Sequence, residues 1–230
     1  MISVVIPVLN EAENIPKLLT HLSQNAIGKL LAEIIVVDGG STDNTVPLIK
    51  NHSSPFPIKV LESAKGRAKQ MNLGAKNAQG NILYFLHADS FPPKGFDTLI
   101  AKEIAKGNPA GCFRMQFDSS HWWLKLVSWF TRFSWRACRG GDQSLFITKP
   151  LFQEIGGYDE SYIIYEDNIL LNEIYQRTSF AVIQEKIKSS ARLYERKGVW
   201  KVQFHFLIIY FKKWRGASPK ELFNYYKKYL

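Results

Sequence analysis

The feature that most constrains this chain is a repeated switch of period in its first 105 residues. Short β-rich apolar runs alternate with segments whose apolar residues recur at helical spacing. Ser3–Leu9 reads as a buried strand, and Asn14 to Ile27 then places Ile15, Leu18, Leu19, Leu22 and Ile27 near a 3.6-residue period. Glu33–Asp38 is a second strand, closed by Gly39-Gly40-Ser41, with Thr42 or Ser41 expected to cap a helix near Asn44. Ile58–Leu61, a helix over Arg67–Ala78, the strand Asn81–Leu86 and a helix over Phe96–Ala105 complete the series. Four β–α alternations predict an α/β fold, with a mostly parallel sheet flanked by helices. A chain of 230 residues with 46% apolar and 22% charged side chains can bury such a core and is not disordered.

The second half is less regular. Ala110–Phe117, Gln143–Thr148 and Ala181–Ile183 read as strands, and Trp122–Trp135 as an aromatic amphipathic stretch. Helices are expected over Leu151–Ile155, Asp167–Gln176, Val199–Trp214 and Pro219–Tyr229, the last with Ser218 as its cap. The charge is equally uneven. Residues 1–175 hold 17 basic and 17 acidic side chains, whereas 176–230 hold 13 and 3, so the whole +10 lies in the tail. Such a tail suits an anionic partner: nucleic acid, a phosphorylated substrate or a lipid surface. The first residues, apolar but without a basic leader, read as a strand and not as a signal peptide. No stretch approaches the roughly 20 apolar residues of a membrane span. The two cysteines, Cys112 and Cys138, make no disulfide framework and fit a cytoplasmic setting.

Open parallel sheets bind ligands beyond the carboxyl ends of their strands. The polar residues there are Asn10 and Glu11, then Asp38, then His87 and Asp89. Asp38 can accept from a ribose hydroxyl or a base N–H, or it can simply shape its turn. Asp89 can hold a divalent metal and through it a diphosphate, or belong to a surface turn before Pro92. Asp167, beside Glu166 at a helix start, can take a proton or cap the helix. Arg67, Lys69, Arg192, Arg196 and Lys197 can meet phosphate or face solvent. The dinucleotide fingerprint GxGxxG and the phosphate loop GxxxxGK[ST] are both missing, which disfavours dehydrogenases and P-loop enzymes.

The segments SVVIPVLNEAENI, IIVVDGGSTDNT, GRAKQMNLGA, LYFLHADS, GDQSLF, FQEIGGYDE and EDNILL, in this order over about residues 2–175, resemble a family 2 glycosyltransferase of the GT-A fold. HAD, GDQ and SARLYERKGVW are similar to a small soluble branch of that family. The resemblance implies a catalytic domain over 1–190, with a nucleotide-binding half (1–89) and an acceptor half (90–190). Residues 191–230 would form basic amphipathic helices. It implies that Pro7, Asn10, Glu11, Asp38, Arg67 and Asp89 bind the nucleotide, and that Asp89 holds Mg²⁺ or Mn²⁺. His87 stands where many members have the first Asp of DxD and is a second candidate ligand. Asp167 would be the catalytic base, and Gly141, Asp142, Gln143 and Glu166 would border the acceptor. The implied reaction is inverting transfer from a UDP- or GDP-linked sugar to a hydroxyl acceptor.

The aromatic segments bear on that acceptor. Trp122, Trp123, Trp129, Phe130, Phe133 and Trp135, and later Trp200, Phe204, Phe206, Phe211 and Trp214, lie beside lysines and arginines. They suit a peripheral helix on an anionic membrane with a lipid-like acceptor, and equally a helix packed on the body or on a second subunit. A nucleic-acid-binding module using the tail would leave Asp38, Asp89 and Asp167 without a role, so no nucleic acid is expected. The same pattern of residues also suits an inactive scaffold of this fold, or a nucleotidyltransferase with a similar sheet and metal need.

Overall fold

The computed structural model describes residues 1–140 and 143–230. Its centre is an eight-stranded sheet. The strands are β1 (Ile2–Val8), β2 (Leu31–Asp38), β3 (Ile58–Glu62), β4 (Ile82–Phe85), β5 (Ser90–Phe91), β6 (Ala110–Phe117), β7 (Leu145–Thr148) and β8 (Phe180–Ser189), in the order β3-β2-β1-β4-β7-β6-β8-β5. The first four form the expected parallel unit, with β1 between β2 and β4. The remainder is mixed: β7 runs antiparallel to both β4 and β6, β6 is parallel to β8, and β5 is antiparallel to β8. "Mostly parallel" therefore describes only the first half. The apolar runs Ala110–Phe117 and Leu145–Thr148 are buried whichever way their partners run, so their pattern carries no direction.

The helices are α1 (Ile15–Asn25), α2 (Thr45–Lys50), α3 (Arg67–Asn77), α4 (Phe96–Ala105), α5 (Trp122–Phe130), α6 (Lys149–Ile155), α7 (Glu166–Arg177), α8 (Arg192–Lys197), α9 (Val199–Trp214) and α10 (Pro219–Tyr229). Strand alternation divides the core into two layers. Val4, Ile6, Ile34 and Val36 pack with Ile15, Leu18, Leu19 and Leu22 of α1 and with Phe96 and Ile100 of α4. Val5, Ile35 and Val37 pack on the other face with Ala68, Met71 and Ala75 of α3 and with Leu170, Leu171 and Ile174 of α7. Gly74 lets α3 come this close, since a Cβ there would lie 2.4 Å from Val5. Val202 of α9 joins the first layer, while Ile209, also of α9, and Leu222 of α10 form a small third cluster with Tyr162.

Three local expectations change. Neither Ser41 nor Thr42 caps α2; the carboxylate of Asp43 accepts from the Thr45 N–H instead, and Ser41 turns to Asp38. The strand foreseen over Ala181–Ile183 runs on to Ser189: the consecutive exposed residues Gln184, Glu185 and Lys186 fall at a shift of register against β6, between the pairs Phe113–Ile183 and Arg114–Lys186, and Ile187 and Ser189 are buried again beyond it. Phe206 is half-buried against the core, while Leu207 faces outward in its place. Ser218 caps α10 as expected, in a reciprocal pair with Glu221.

Candidate active site

The parallel order β2-β1-β4 places the topological switch between β1 and β4. Their pairing ends at Val5 and Phe85, so β1 continues alone on that side through Pro7, whose missing N–H costs no ladder bond there. Two carboxylates converge just beyond. Glu11, from the loop after β1, and Asp89, from the turn after β4, share one guanidinium nitrogen of Arg192: 3.2 and 3.3 Å to the Glu11 oxygens and 3.1 Å to Asp89. Partial burial works against the charge on Arg192, but the two carboxylates outweigh it and hold its pKa above the usual value.

The loop after β1 is laced to the loop after β2. Asn10, exposed and in the left-handed region at φ 55°, donates its N–H to Ser41 Oγ and accepts from the Thr42 N–H at 2.8 Å. The Glu11 N–H donates to Thr45 Oγ1, and Ala12 N–H to Asp43. Asp38 is buried, and its carboxylate accepts from the N–H groups of Gly40 and Ser41 and from the Ser41 hydroxyl. These bonds shape the turn, which is one of the two roles foreseen for Asp38. Behind it the side chain of Gln70, on α3, donates to the carbonyls of Val8 and Val37 at 2.8 and 2.7 Å. Gly39 permits this, because a Cβ there would lie 3.0 Å from the amide. Gln70 is not among the site residues expected from the sequence; a polar amide amid Ala68, Met71 and Ala75, which needs partners once buried, is the signal that could have found it.

A second group stands at the end of β4. His87 and Asp167 line one small cavity together with Phe85, Gly140, Ser144 and Tyr158. Asp167 sits in the first turn of α7, where the helix dipole favours a carboxylate. The turn entering that helix holds Tyr165 at φ 72°, a strained state for a bulky residue. Burial, with Asp167 and Glu166 nearby, raises the Tyr158 hydroxyl well above its usual pKa, so it stays neutral. Glu166 is buried and meets Arg67 of α3 at 3.6 Å, which ties α3 to α7. Gln143 is also buried, donating to the Cys138 carbonyl and accepting from Cys112. Gly141 and Asp142 lie outside the described residues.

Among the described residues no group of three His, Cys, Asp or Glu side chains is placed to hold a metal by itself. Glu11 and Asp89 nevertheless meet on one cation, Arg192. Two convergent carboxylates, completed by phosphate and water oxygens, are a donor set that suits a hard divalent ion. The residues present therefore fit Mg²⁺ or Mn²⁺. The sequence places Glu11 only at the nucleotide, and Arg192 only among general phosphate contacts; the structure joins them to Asp89.

Comparison with known proteins bears directly on this arrangement. The family model "Glycosyl transferase family 2" matches residues 3–169. The chain belongs to glycosyl transferase family 2. This family 2 chain is 36% identical over 102 residues to the dolichol-phosphate mannosyltransferase of Pyrococcus furiosus, covering 43% of this chain and 29% of that protein. It is 36% identical over 94 residues to the glycosyltransferase AglE of Haloferax volcanii, covering 40% and 31%. The chain thus spans about a third of the length of each of these relatives. Its fold is similar to that of the mannosyltransferase PcManGT of Pyrobaculum calidifontis, solved with GDP-Man and Mn²⁺ (TM-score 0.70, 18% identity, 95% of this chain and 66% of that one). It is similar also to S. aureus TarS 1-349 (TM-score 0.67, 18% identity, 84% and 62%). Family and neighbours together establish a GT-A-like α/β fold.

Proposed function

We propose that this chain transfers a sugar from a nucleoside-diphosphate sugar to a hydroxyl acceptor with inversion at the anomeric carbon. The observation that carries the reading is the meeting of Glu11, Asp89 and Arg192 at the β1–β4 switch, with Asp167 and His87 sharing a cavity at the end of the same strand β4. The first group is chemically suited to a diphosphate, and the second to an acceptor.

Asn10 and the Gly39–Ser41 turn border the nucleoside, with the turn held by Asp38 and Gln70. Glu11 and Asp89 would hold Mg²⁺ or Mn²⁺, which supplies positive charge to the departing diphosphate. Arg192 has one guanidinium nitrogen shared between two carboxylates, and it exchanges one of them for a phosphate oxygen when the donor binds. Asp167 accepts the proton of the acceptor hydroxyl. The new bond forms between that oxygen and the anomeric carbon while the bond from that carbon to the phosphate oxygen breaks, and the nucleoside diphosphate leaves with the electron pair. Glu166, paired with Arg67, positions the first turn of α7. The rate comes from placement and charge stabilisation, with no covalent nucleophile.

Asp167→Asn tests the assignment. The isosteric amide keeps nucleotide affinity and removes the base, so turnover falls by about 10²–10⁴-fold, the usual worth of a positioned base. Donor hydrolysis to water supplies the assay before an acceptor is known. Loss of nucleotide binding with turnover per bound complex intact would remove Asp167 from the proton-transfer step.

A further inference from the structure

One face of the molecule is unlike the rest. On α9, Trp200, Phe204, Leu207, Phe211 and Trp214 follow at spacings of four, three, four and three, and each is between 53% and 80% exposed. At 100° per residue they fall within a stripe about 80° wide. The stripe is opposite Val202 and Ile209, which anchor the helix to the body. Trp200 meets Trp122 and Trp123 of α5 at ring separations of 5.9 and 5.2 Å, so the stripe continues onto exposed Trp122, Trp129 and Phe130. Lys125, Lys201 and Arg215 are exposed on these helices or at their ends, and Arg132 lies over the Trp129 ring.

We infer that the α5–α9 face docks on the surface of an anionic lipid bilayer. Tryptophans and phenylalanines on one side of a helix, bordered by cations, are what an interfacial helix presents to headgroups. Among the described residues no helix is long and apolar enough to cross a membrane, so the contact lies in the surface plane. Charge selects lipid over a second copy of the chain. All of the net +10 lies in residues 176–230, which include α9. A symmetric dimer through α9 would bring two such tails together, whereas an anionic leaflet neutralises one.

The flank of α9 reaches the candidate site: Tyr210 contacts the Tyr165 ring at 5.3 Å and the Asn168 side chain, next to Asp167. If Asp167 is the base proposed above, docking sets the helix that carries it beside the lipid-facing helix. On that reading alone, the acceptor is a hydroxyl at the lipid surface.

The test uses the full chain without nucleotide, so that it reads docking apart from catalysis. Protein is sedimented with phosphatidylcholine vesicles and with the same vesicles carrying phosphatidylglycerol. Binding is expected to the anionic vesicles, at least about tenfold weaker to the neutral ones, and reduced by salt. The exposed triple variant Phe204→Ser, Leu207→Ser, Phe211→Ser is expected to lose at least about tenfold in binding while keeping the thermal transition of the parent. Independently of any variant, brominated acyl chains in the anionic vesicles are expected to quench the tryptophans of the unaltered protein. Absence of binding, absence of quenching, or full binding by the triple variant would overturn the inference. So would a dimer that the triple variant abolishes, because a second copy would then cover the face. Vesicle binding in a protein whose Asp167→Asn variant keeps full turnover would leave docking standing and remove only its link to the acceptor.

Discussion

Gln70 holds the two strand ends from which the candidate site is built. Its amide nitrogen donates to the carbonyls of Val8 and Val37, close to where β1 and β2 give way to the Asn10–Glu11 and Gly39–Ser41 loops. Gln70→Leu keeps the volume and the burial but deletes both bonds. Two neutral hydrogen bonds are worth about 1–3 kcal/mol together, and a stranded carbonyl adds to that. The Val8 carbonyl keeps the Gly39 N–H at 2.9 Å, so only part of that penalty applies. A loss of about 2–3 kcal/mol follows, a fall of roughly 4–12 °C in Tm for a chain of this size. Gln70→Glu is the sharper variant. Its ionised carboxylate would face two carbonyl oxygens with no proton to give, so it should destabilise more than leucine at neutral pH. Protonation supplies one donor, so part of the deficit should return as pH falls. Denaturant unfolding of both variants at neutral and mildly acid pH reads this. A leucine variant within about 0.5 kcal/mol of the parent, or a glutamate variant no worse than leucine at neutral pH, would refute the role given to Gln70.

Other expectations rest on separate parts of the molecule. Burial opposes ionisation of Glu33, but the Lys59 ammonium, the Gln79 N–H and the Ser3 hydroxyl outweigh it and hold its carboxyl below the usual 4.5. A depressed folded-state pKa gives stability that is full above the unfolded value and lost as pH falls through the folded one. Glu33→Gln should therefore weaken the protein at neutral pH and flatten its acid destabilisation, seen as denaturant midpoints converging with the parent at low pH. Ser218→Ala removes the reciprocal cap of α10 and should cost about 1 kcal/mol, with faster amide exchange in the first turn of that helix. Arg192→Ala breaks a half-exposed ion pair, so stability should move by less than about 1 kcal/mol. Nucleoside-diphosphate affinity should fall far more than nucleoside affinity, and an equal fall in both would sink the phosphate role.

The first half of the fold was legible except for β5, whose two residues are too few to show a period. β1 to β4 are apolar runs bounded by turn residues, and α1 and α4 carry clear buried stripes. The direction of β7 was not legible, since buried runs look alike in parallel and antiparallel company. Nor was α8, because a six-residue helix with one buried residue, Tyr194, has no period to read. The strand-end carboxylates could be found from the sequence, whereas their partner could not. Arg192 lies 181 positions from Glu11, and only the closing of the sheet by β8 brings them together. The stripe on α9 was visible as aromatics, but which of Phe206 and Leu207 faces out depended on where Val202 anchors the helix.

The claim that a diphosphate binds at Glu11, Asp89 and Arg192 is tested most directly by calorimetric titration. UDP and GDP are each added to the parent and to Asp89→Ala, with and without Mn²⁺. One nucleotide is expected to bind the parent much more tightly with the metal than without it, and Asp89→Ala is expected to lose that difference. Binding of neither nucleotide, or a metal effect that survives intact in Asp89→Ala, would contradict the placement of the diphosphate at the β1–β4 switch.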